Sequence, residues 1–280
     1  MPTKLKTSLS VSIVCYNSPI EQLEALLESL LRSILRVRQF YNLSVTQIYL
    51  IDNSDHVSVN FENLEDQRCS FEEHQVKLRY LHGHGNIGYG RAHNLVLSNL
   101  KSCFHLVLNP DVVIDEDALL ESFKILSGDS EIAMLSPNAI NFSGEKQHLC
   151  KRYPSIFIFL IRGFFPRNLK NLFTRKLAKY EMHDLSETKL SENVTVISGC
   201  FMFVRTEFLA EIKGFDKRYF LYFEDFDLSL RISKLGKLVF APGVRITHGG
   251  GNASKKGFWH LYNFVKSGFR FFKTHGWSFF

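Results

Sequence analysis

Apolar residues fall into two alternating patterns along this chain. Short, nearly unbroken runs such as "LSVSIVC", Leu9 to Cys15, read as strands covered on both faces. Between them apolar residues recur three or four apart. The clearest case is "SPIEQLEALLESLLRSIL", where Leu23, Leu26, Leu27, Leu30, Leu31, Ile34 and Leu35 share one helical face. Ser18 as N-cap, Pro19 at the first helical position and Glu21 three residues after Ser18 predict a capping box.

The pattern then predicts a second strand, "QIYLIDNSD", ending at Asp52, a third in "LRYLHG", a helix in "GYGRAHNLVLSNL", a fourth strand in "FHLVLNPD" and a helix from about Asp117. Pro110 lacks a backbone donor and restricts Asn109, so the fourth strand stops there and Asp111 sits at its carboxyl end. Further on, "NVTVISGCFMFVRTEFLAEIKGFD" reads as a strand and a short helix stopped by Gly214. "FLYFEDFDLSLRISKLGK" reads as a helix with Glu224, Asp225 and Asp227 in its first turn and Gly236 as its stop. "LVFAPGVRITHGGG" supplies the last strands, ending at His248. Strands alternating with helices imply right-handed β-α-β units and a mostly parallel α/β sheet, in which ligands bind beyond the carboxyl ends of the strands. Cys15-Tyr16-Asn17, Asp52-Asn53, Gly85-Asn86 and Asn109 to Asp111 all fall at that edge. No Pro/Gly/Ser-rich linker divides the halves.

A chain of 280 residues, 45% of them hydrophobic, can bury a substantial core. Five scattered cysteines without a C-x-x-C spacing predict a reducing, cytoplasmic compartment. The N-terminus has no apolar core of signal-peptide length, and no apolar run is long enough to span a bilayer. The net charge of +6 is unevenly spread: residues 151–180 hold eight Lys/Arg and residues 249–280 hold five, neither with any Asp/Glu, which leaves 21 basic against 28 acidic residues elsewhere. Both segments are also aromatic. In the second, Phe258, Leu261, Tyr262, Val265, Phe269 and Phe272 recur at helical spacing with Lys266, Arg270 and Lys273 between them. Such a helix either packs its stripe onto the domain or lies on an anionic bilayer.

"HGHGNIGYGRAHN" contains Gly83-x-Gly85-x-x-Gly88, but after the third strand, not the first, so dinucleotide binding is disfavoured. Glycines 85, 88 and 90 either let backbone N–H groups approach an anion at a helix N-terminus or simply make a turn. Asp111 either caps the next helix or offers an oxygen to a hard cation beside a phosphate. In "YFEDFDLSLR" one acid is explained by the helix dipole, while three among aromatic residues suggest a carboxylate placed to act as a general base. His248 can cap, be buried or bind a metal.

In chain order, "VSIVCYN", "YLIDNSD", "GNIGYGRAHN", "LNPDV", "SGCFMFVRTEFLAEIKGFD", "YFEDFDLSLR" and "ITH" resemble glycosyltransferase family 2, in particular its rhamnosyltransferase-like branch, over about residues 9 to 250. The resemblance implies a GT-A fold over residues 1–250, an α/β unit with a Rossmann-like sheet flanked by helices. It also implies a variable basic loop at 151–195 on the acceptor or membrane side and transfer with inversion from a nucleotide-diphosphate sugar aided by Mg²⁺ or Mn²⁺, while the basic aromatic spacing predicts an amphipathic helix in 251–280. By position, Tyr16, Asn17, Asp52, Gly88, Asn94 and Asn109 would bind the nucleotide sugar, with Asp52 on the base, while Asp111 and His248 would hold the metal. Asp225 would be the general base, and Glu224 and Gly199 would lie on the acceptor side. One departure is Asn109 where the family's D-x-D motif has its first Asp, which implies weaker or more donor-dependent metal binding. The branch implies dTDP-L-rhamnose as donor, with UDP-sugars as the alternative, and a saccharide or polyprenyl-diphosphate-linked acceptor of a surface polysaccharide. A sugar-nucleotide pyrophosphorylase would want a Gly-rich basic loop after the first strand, where this chain has "CYNSPIE". A nucleic-acid module would leave Asp111, Asp225 and His248 without a role, and a non-catalytic carbohydrate binder would have no need of the acids.

Overall fold

The computed structural model describes residues 6–56, 58, 59, 61–250 and 257–280. The amino-terminal half builds a parallel sheet layer by layer: β1 (Lys6–Cys15), α1 (Ile20–Phe40), β2 (Asn42–Asp52), α2 (Glu65–Glu73), β3 (Lys77–Leu81), α3 (Tyr89–Leu97) and β4 (Phe104–Leu108). β1 lies between β2 and β4, with Val11 opposite both Ile48 and Leu106. All five residues of β4 are buried, His105 included, as expected of a strand covered on both faces.

After β4 the chain forms β5 (Val112–Ile114), α4 (Ala118–Gly128), β6 (Ile132–Ile140), β7 (Lys146–Gln147) and β8 (Cys150–Lys151). The basic segment is helical, with α5 (Ile156–Phe164), α6 (Arg167–Lys170) and α7 (Thr174–Tyr180). Then follow β9 (Val196–Ile197), β10 (Phe201–Arg205), α8 (Thr206–Glu211), α9 (Glu224–Ile232), β11 (Lys237–His248) and α10 (Phe258–His275). The main sheet runs β3-β2-β1-β4-β10-β6-β11-β5, with β7 paired to β6, and β8 and β9 form a separate ribbon. β10 runs antiparallel to β4 and β6, so this mostly parallel sheet is mixed in its second half. "LVFAPGVRITH" is one strand rather than several, with its register shifted between Ala241 and Arg245 where Pro242 cannot donate to the ladder.

The core lies on both faces of the sheet. Leu23, Leu26, Leu27, Leu30 and Ile34 of α1 are fully buried against it, as the leucine periodicity requires. The expected capping box does not form. α1 starts at Ile20 with Pro19 at the cap, and the Ser18 hydroxyl instead accepts the Tyr16 N–H at 3.3 Å, closing the turn off β1.

Helix α10 divides the expected aromatic stripe. Phe272 is buried, but Phe258, Leu261, Tyr262, Val265 and Phe269 are exposed. The face that packs carries Asn263, Ser267, Gly268, Phe271 and Phe272. Phe271 and Phe272 join Tyr219 and Phe223 in an aromatic cluster that Phe159 and Phe264 complete. No helix among the described residues is long and apolar enough to cross a membrane.

Candidate active site

The parallel strands deliver their polar ends to one edge. At the end of β1, Tyr16 is half exposed and Asn17 takes a left-handed conformation with φ 48°, its N–H donating to Ser54 Oγ at 2.9 Å. Asp52, at the end of β2, is buried and accepts from the N–H groups of Ser54, Ser58 and Val59 and from the hydroxyls of Ser58 and Tyr80, at 2.8 to 3.2 Å. Burial alone would raise its pKa, but these donors outweigh it and hold the carboxyl below its ordinary value. A carboxylate with five donors has its lone pairs filled. Asp52 thus builds the loop after β2.

The glycine turn faces inward, contrary to the anion cradle its composition suggests. Ile87 N–H donates to Asn53 Oδ1 at 3.0 Å, Gly88 N–H to Asn86 Oδ1 at 3.1 Å and Tyr89 N–H to the Phe220 carbonyl at 3.2 Å. A Cβ on Gly88 would lie 2.3 Å from that carbonyl oxygen, and one on Gly90 would lie 2.9 Å from Phe215 Cβ. Two of the three glycines thus permit close packing on the segment leading to α9. Asn94 does the same work: its amide donates to Phe215 O at 2.8 Å and accepts Phe215 N–H at 2.9 Å, so both ends are taken inside the protein.

Asp111 and His248 meet because β5 pairs with β11, placing His248 opposite Val112, and because Gly249 N–H donates to the Asp111 carbonyl at 2.9 Å. His248 Nε2 lies 3.4 Å from Asp111 Oδ1. Its Nδ1 is 2.7 Å from Gln147 Oε1, while Gln147 Nε2 donates to the His248 carbonyl at 3.0 Å. With Gln147 accepting, Nδ1 carries a proton, and a neutral ring in this tautomer offers its Nε2 lone pair. Nε2 and Asp111 Oδ1 are both buried without a hydrogen-bond partner and face each other. This donor set fits a divalent cation such as Mg²⁺ or Mn²⁺, held in place by the Gln147 hydrogen bond. Among the described residues no group of three or more His, Cys, Asp or Glu is placed to hold a metal by itself, so phosphates and water would complete the shell.

The other acids lie at the start of α9. Tyr222 and Phe223 precede it with φ of 69° and 66°, and α9 starts at Glu224. Asp225 Oδ2 accepts the Gly199 N–H at 3.1 Å and Oδ1 accepts the Phe226 N–H at 3.0 Å. Burial raises the pKa of Asp225, partly offset by those donors. Glu224 is pushed up to about 8 by burial first and the neighbouring Asp225 charge second, and its Oε2 has no partner. The third acid is structural. Asp227 is buried between Arg231 Nε at 2.7 Å and His275 Nε2 at 2.8 Å, which ties α9 to α10.

Gly199-Cys200, at the start of β10, joins the two acidic groups. Gly199 N–H holds Asp225, and the Cys200 carbonyl accepts the Asn109 N–H at 2.9 Å, two residues before Asp111. Tyr89 completes the join by donating its hydroxyl to the Gly199 carbonyl at 2.7 Å. A Cβ on Gly199 would press on the Tyr89 ring at 3.2 Å. The structure thus gathers Gly199, Asn109, Asp111, Glu224, Asp225 and His248, with Tyr16 and Asn17 further along the same edge. Sequence reasoning missed Gln147 and Tyr89. Tyr89 lies within the quoted "GNIGYGRAHN" motif, whereas Gln147 sits in none.

Comparison with known proteins covers most of the chain. Residues 7–262 match the family model described as "Glycosyltransferase like family 2". The chain is 27% identical over 216 residues to rhamnosyltransferase WbbL of Escherichia coli (strain K12), covering 71% of this chain and 75% of that protein. It is 30% identical over 194 residues to the N-acetylglucosaminyl-diphospho-decaprenol L-rhamnosyltransferase of Mycobacterium tuberculosis (strain CDC 1551 / Oshkosh), covering 61% of this chain and 58% of that protein. Among solved structures, GalNAc-T7 with UDP, GalNAc and Mn²⁺ superposes on 95% of the chain with a TM-score of 0.64 at 17% identity, the chain spanning 48% of its length. The mannosyltransferase PcManGT from Pyrobaculum calidifontis in complex with GDP-Man and Mn²⁺ covers 94% with a TM-score of 0.56 at 13% identity, the chain spanning 63% of its length. At these identities the structural likeness establishes the shared GT-A fold.

Proposed function

Because the chain belongs to glycosyltransferase family 2 and is a glycosyltransferase, we propose that it transfers a sugar with inversion from a nucleotide-diphosphate donor to a saccharide or lipid-linked acceptor. The best reading of the donor is dTDP-L-rhamnose and of the pathway a surface polysaccharide. Two relatives named rhamnosyltransferases support this, one of them with a diphospho-decaprenol acceptor in its name. A UDP-sugar is the second reading, favoured by the UDP bound to GalNAc-T7. The observation that carries the transferase reading is the Gly199-Cys200 junction, which ties Asp225 and the Asp111–His248 pair to one strand end.

In this reading residues 1–250 form the catalytic unit and 151–195 border the acceptor. Tyr16 offers its exposed ring to the nucleotide base, with Asn17 and the Asp52 loop beneath it, and Asn109 hydrogen-bonds the donor near its phosphates. Gly88 and Asn94 serve the donor indirectly, by anchoring the turn. Asp111 and His248 would hold Mg²⁺ or Mn²⁺, which would neutralise charge developing on the departing diphosphate. The sugar reaches an oxocarbenium-like transition state as the diphosphate leaves, and the acceptor hydroxyl attacks from the opposite side. Asp225 takes its proton. Burial raises the proton affinity of Asp225, while the Gly199 and Phe226 N–H groups aim its oxygens. Glu224 keeps its proton near neutral pH and orients the acceptor.

The test is a thermal-shift panel of nucleotide sugars with and without Mg²⁺ or Mn²⁺, since a ligand of the folded state raises the apparent melting temperature. The donor it selects then goes into turnover assays. Asp225→Asn should keep donor binding and lower turnover about 10²-fold or more, whereas Asp111→Ala should weaken cation-dependent donor binding. Full turnover in both variants would refute the assignment. Since an acceptor on a polyprenyl lipid lies at a bilayer, this reading also calls for a protein that works at the cytoplasmic face of a membrane.

A further inference from the structure

Helix α10 has two faces with different chemistry. The inner face holds the acid-bearing loop. Ser267 Oγ donates to the Leu221 carbonyl at 2.8 Å, His275 meets Asp227 at 2.8 Å, and a Cβ on Gly268 would touch the Phe223 ring at 3.2 Å. Tyr222 and Phe223, both left-handed, are thereby packed under α10. The outer face is bare. Phe258 is 84% exposed, Tyr262 54%, Val265 58% and Phe269 60%. Lys266 and Lys273 are exposed among them, and a cleft of about 610 Å³ is lined by Arg218, Val265, Lys266, Phe269, Arg270 and Lys273. Residues 257–280 include no Asp or Glu. The exposed aromatic surface continues from Phe269 to Trp277 (ring centroids 5.5 Å apart) and on to Phe279 (6.2 Å). Phe280 packs on Phe157 of α5, with Lys176 Nζ 4.5 Å from the Phe157 ring centre, so the two basic segments adjoin.

We propose that this outer face docks on an anionic lipid bilayer. The aromatic rings lie at headgroup depth and the cations sit over lipid phosphates, a combination suited to an interfacial helix. A second copy of the chain suits the face poorly, because a two-fold contact would set each cluster of cations against its own copy. The proposal rests on the lipid-linked acceptor only for its purpose. Since the inner face of the same helix holds the loop before Glu224 and Asp225, docking also fixes the acid site relative to the surface.

The experiment is sedimentation of the full chain with vesicles of phosphatidylcholine, with and without phosphatidylglycerol, at low and high salt. The wild type should bind the phosphatidylglycerol vesicles and release at high salt. Lys266→Ala/Lys273→Ala should lower the partition coefficient about 25-fold, roughly fivefold per lysine. Phe269→Ser should weaken binding while leaving its salt dependence, and unchanged urea midpoints will show that these exposed substitutions leave the fold intact. Equal binding to neutral vesicles, no binding at all, or variants that bind as well as wild type would each overturn the proposal. So would a dimer that Phe269→Ser dissociates, or stronger binding to a DNA duplex than to vesicles. No sugar is turned over in this assay, so its failure leaves the donor panel standing, and failure of the panel leaves vesicle binding readable.

Discussion

An alanine at position 88 would bring its Cβ 2.3 Å from the Phe220 carbonyl oxygen and 3.0 Å from Phe220 C and Cα, all backbone atoms that no side-chain rotation can move aside. Gly88 also sits at φ 91°, ψ 155°, a region essentially restricted to glycine, which adds on the order of 1–3 kcal/mol for any other residue. Relief of the overlap costs roughly another 1–3 kcal/mol, and shifting Phe220 disturbs the 3.2 Å hydrogen bond it accepts from Tyr89. Gly88→Ala should therefore destabilise the fold by about 2–6 kcal/mol, a large share of the roughly 5–15 kcal/mol typical of a domain. Gly85→Ala is the control. Gly85 has φ 65°, and a Cβ there would meet nothing within 4 Å, so only the left-handed penalty of about 1–2 kcal/mol applies. Urea unfolding followed by tryptophan fluorescence gives both values, provided the slope with denaturant stays constant. Equal losses in the two variants would refute the claim that Gly88 exists to let the turn dock on the loop leading to Glu224 and Asp225. Turnover should follow the same order, because Phe220 lies two residues before the left-handed pair that sets the start of α9.

The buried titrating groups give two predictions of opposite sign. Glu224 has its folded pKa raised to about 8, so between its unfolded value and about 8 the folded chain holds a proton that the unfolded chain has lost; wild-type stability falls as pH rises through that window, at up to about 1.4 kcal/mol per unit. Glu224→Gln removes that dependence and should raise the melting temperature above pH 8, and a variant no more stable than wild type there would show that the carboxyl is not held protonated. Burial lowers the pKa of His105 to about 3 and that of His93 well below its ordinary value. In the Glu224→Gln background, stability should accordingly be full above about pH 6.5 and decline as pH falls toward 3. A flat urea midpoint over that range would show that these histidines are not kept neutral in the folded core.

Much of the amino-terminal half was legible because its signals are local. Nearly unbroken apolar runs became β1 and β4, the leucine periodicity became α1, and Pro110 ended β4 where its missing donor required. β6 was missed although it lies between β10 and β11, because Pro137 interrupts its apolar run and short-range patterns give proline in a strand a poor score. The motif acids were legible as a set, yet their division of labour was not. Asp227 differs from Glu224 and Asp225 only through His275 and Arg231, and His275 lies 48 residues away in sequence.

Local patterning alone was enough to set the alternation of strands and helices, the edge at which the polar residues gather, and the family to which the motifs point. Folding in three dimensions was needed to bring Asp111 Oδ1 against His248 Nε2, to join the two acidic groups through Gly199 and Tyr89, and to pack Gly88 against Phe220 rather than open it toward an anion. The same holds for which side of α10 is bare. The difference is one of range. Periodicity and turn chemistry act over a few residues, whereas hydrogen-bond satisfaction and burial depend on partners that the fold brings from far along the chain.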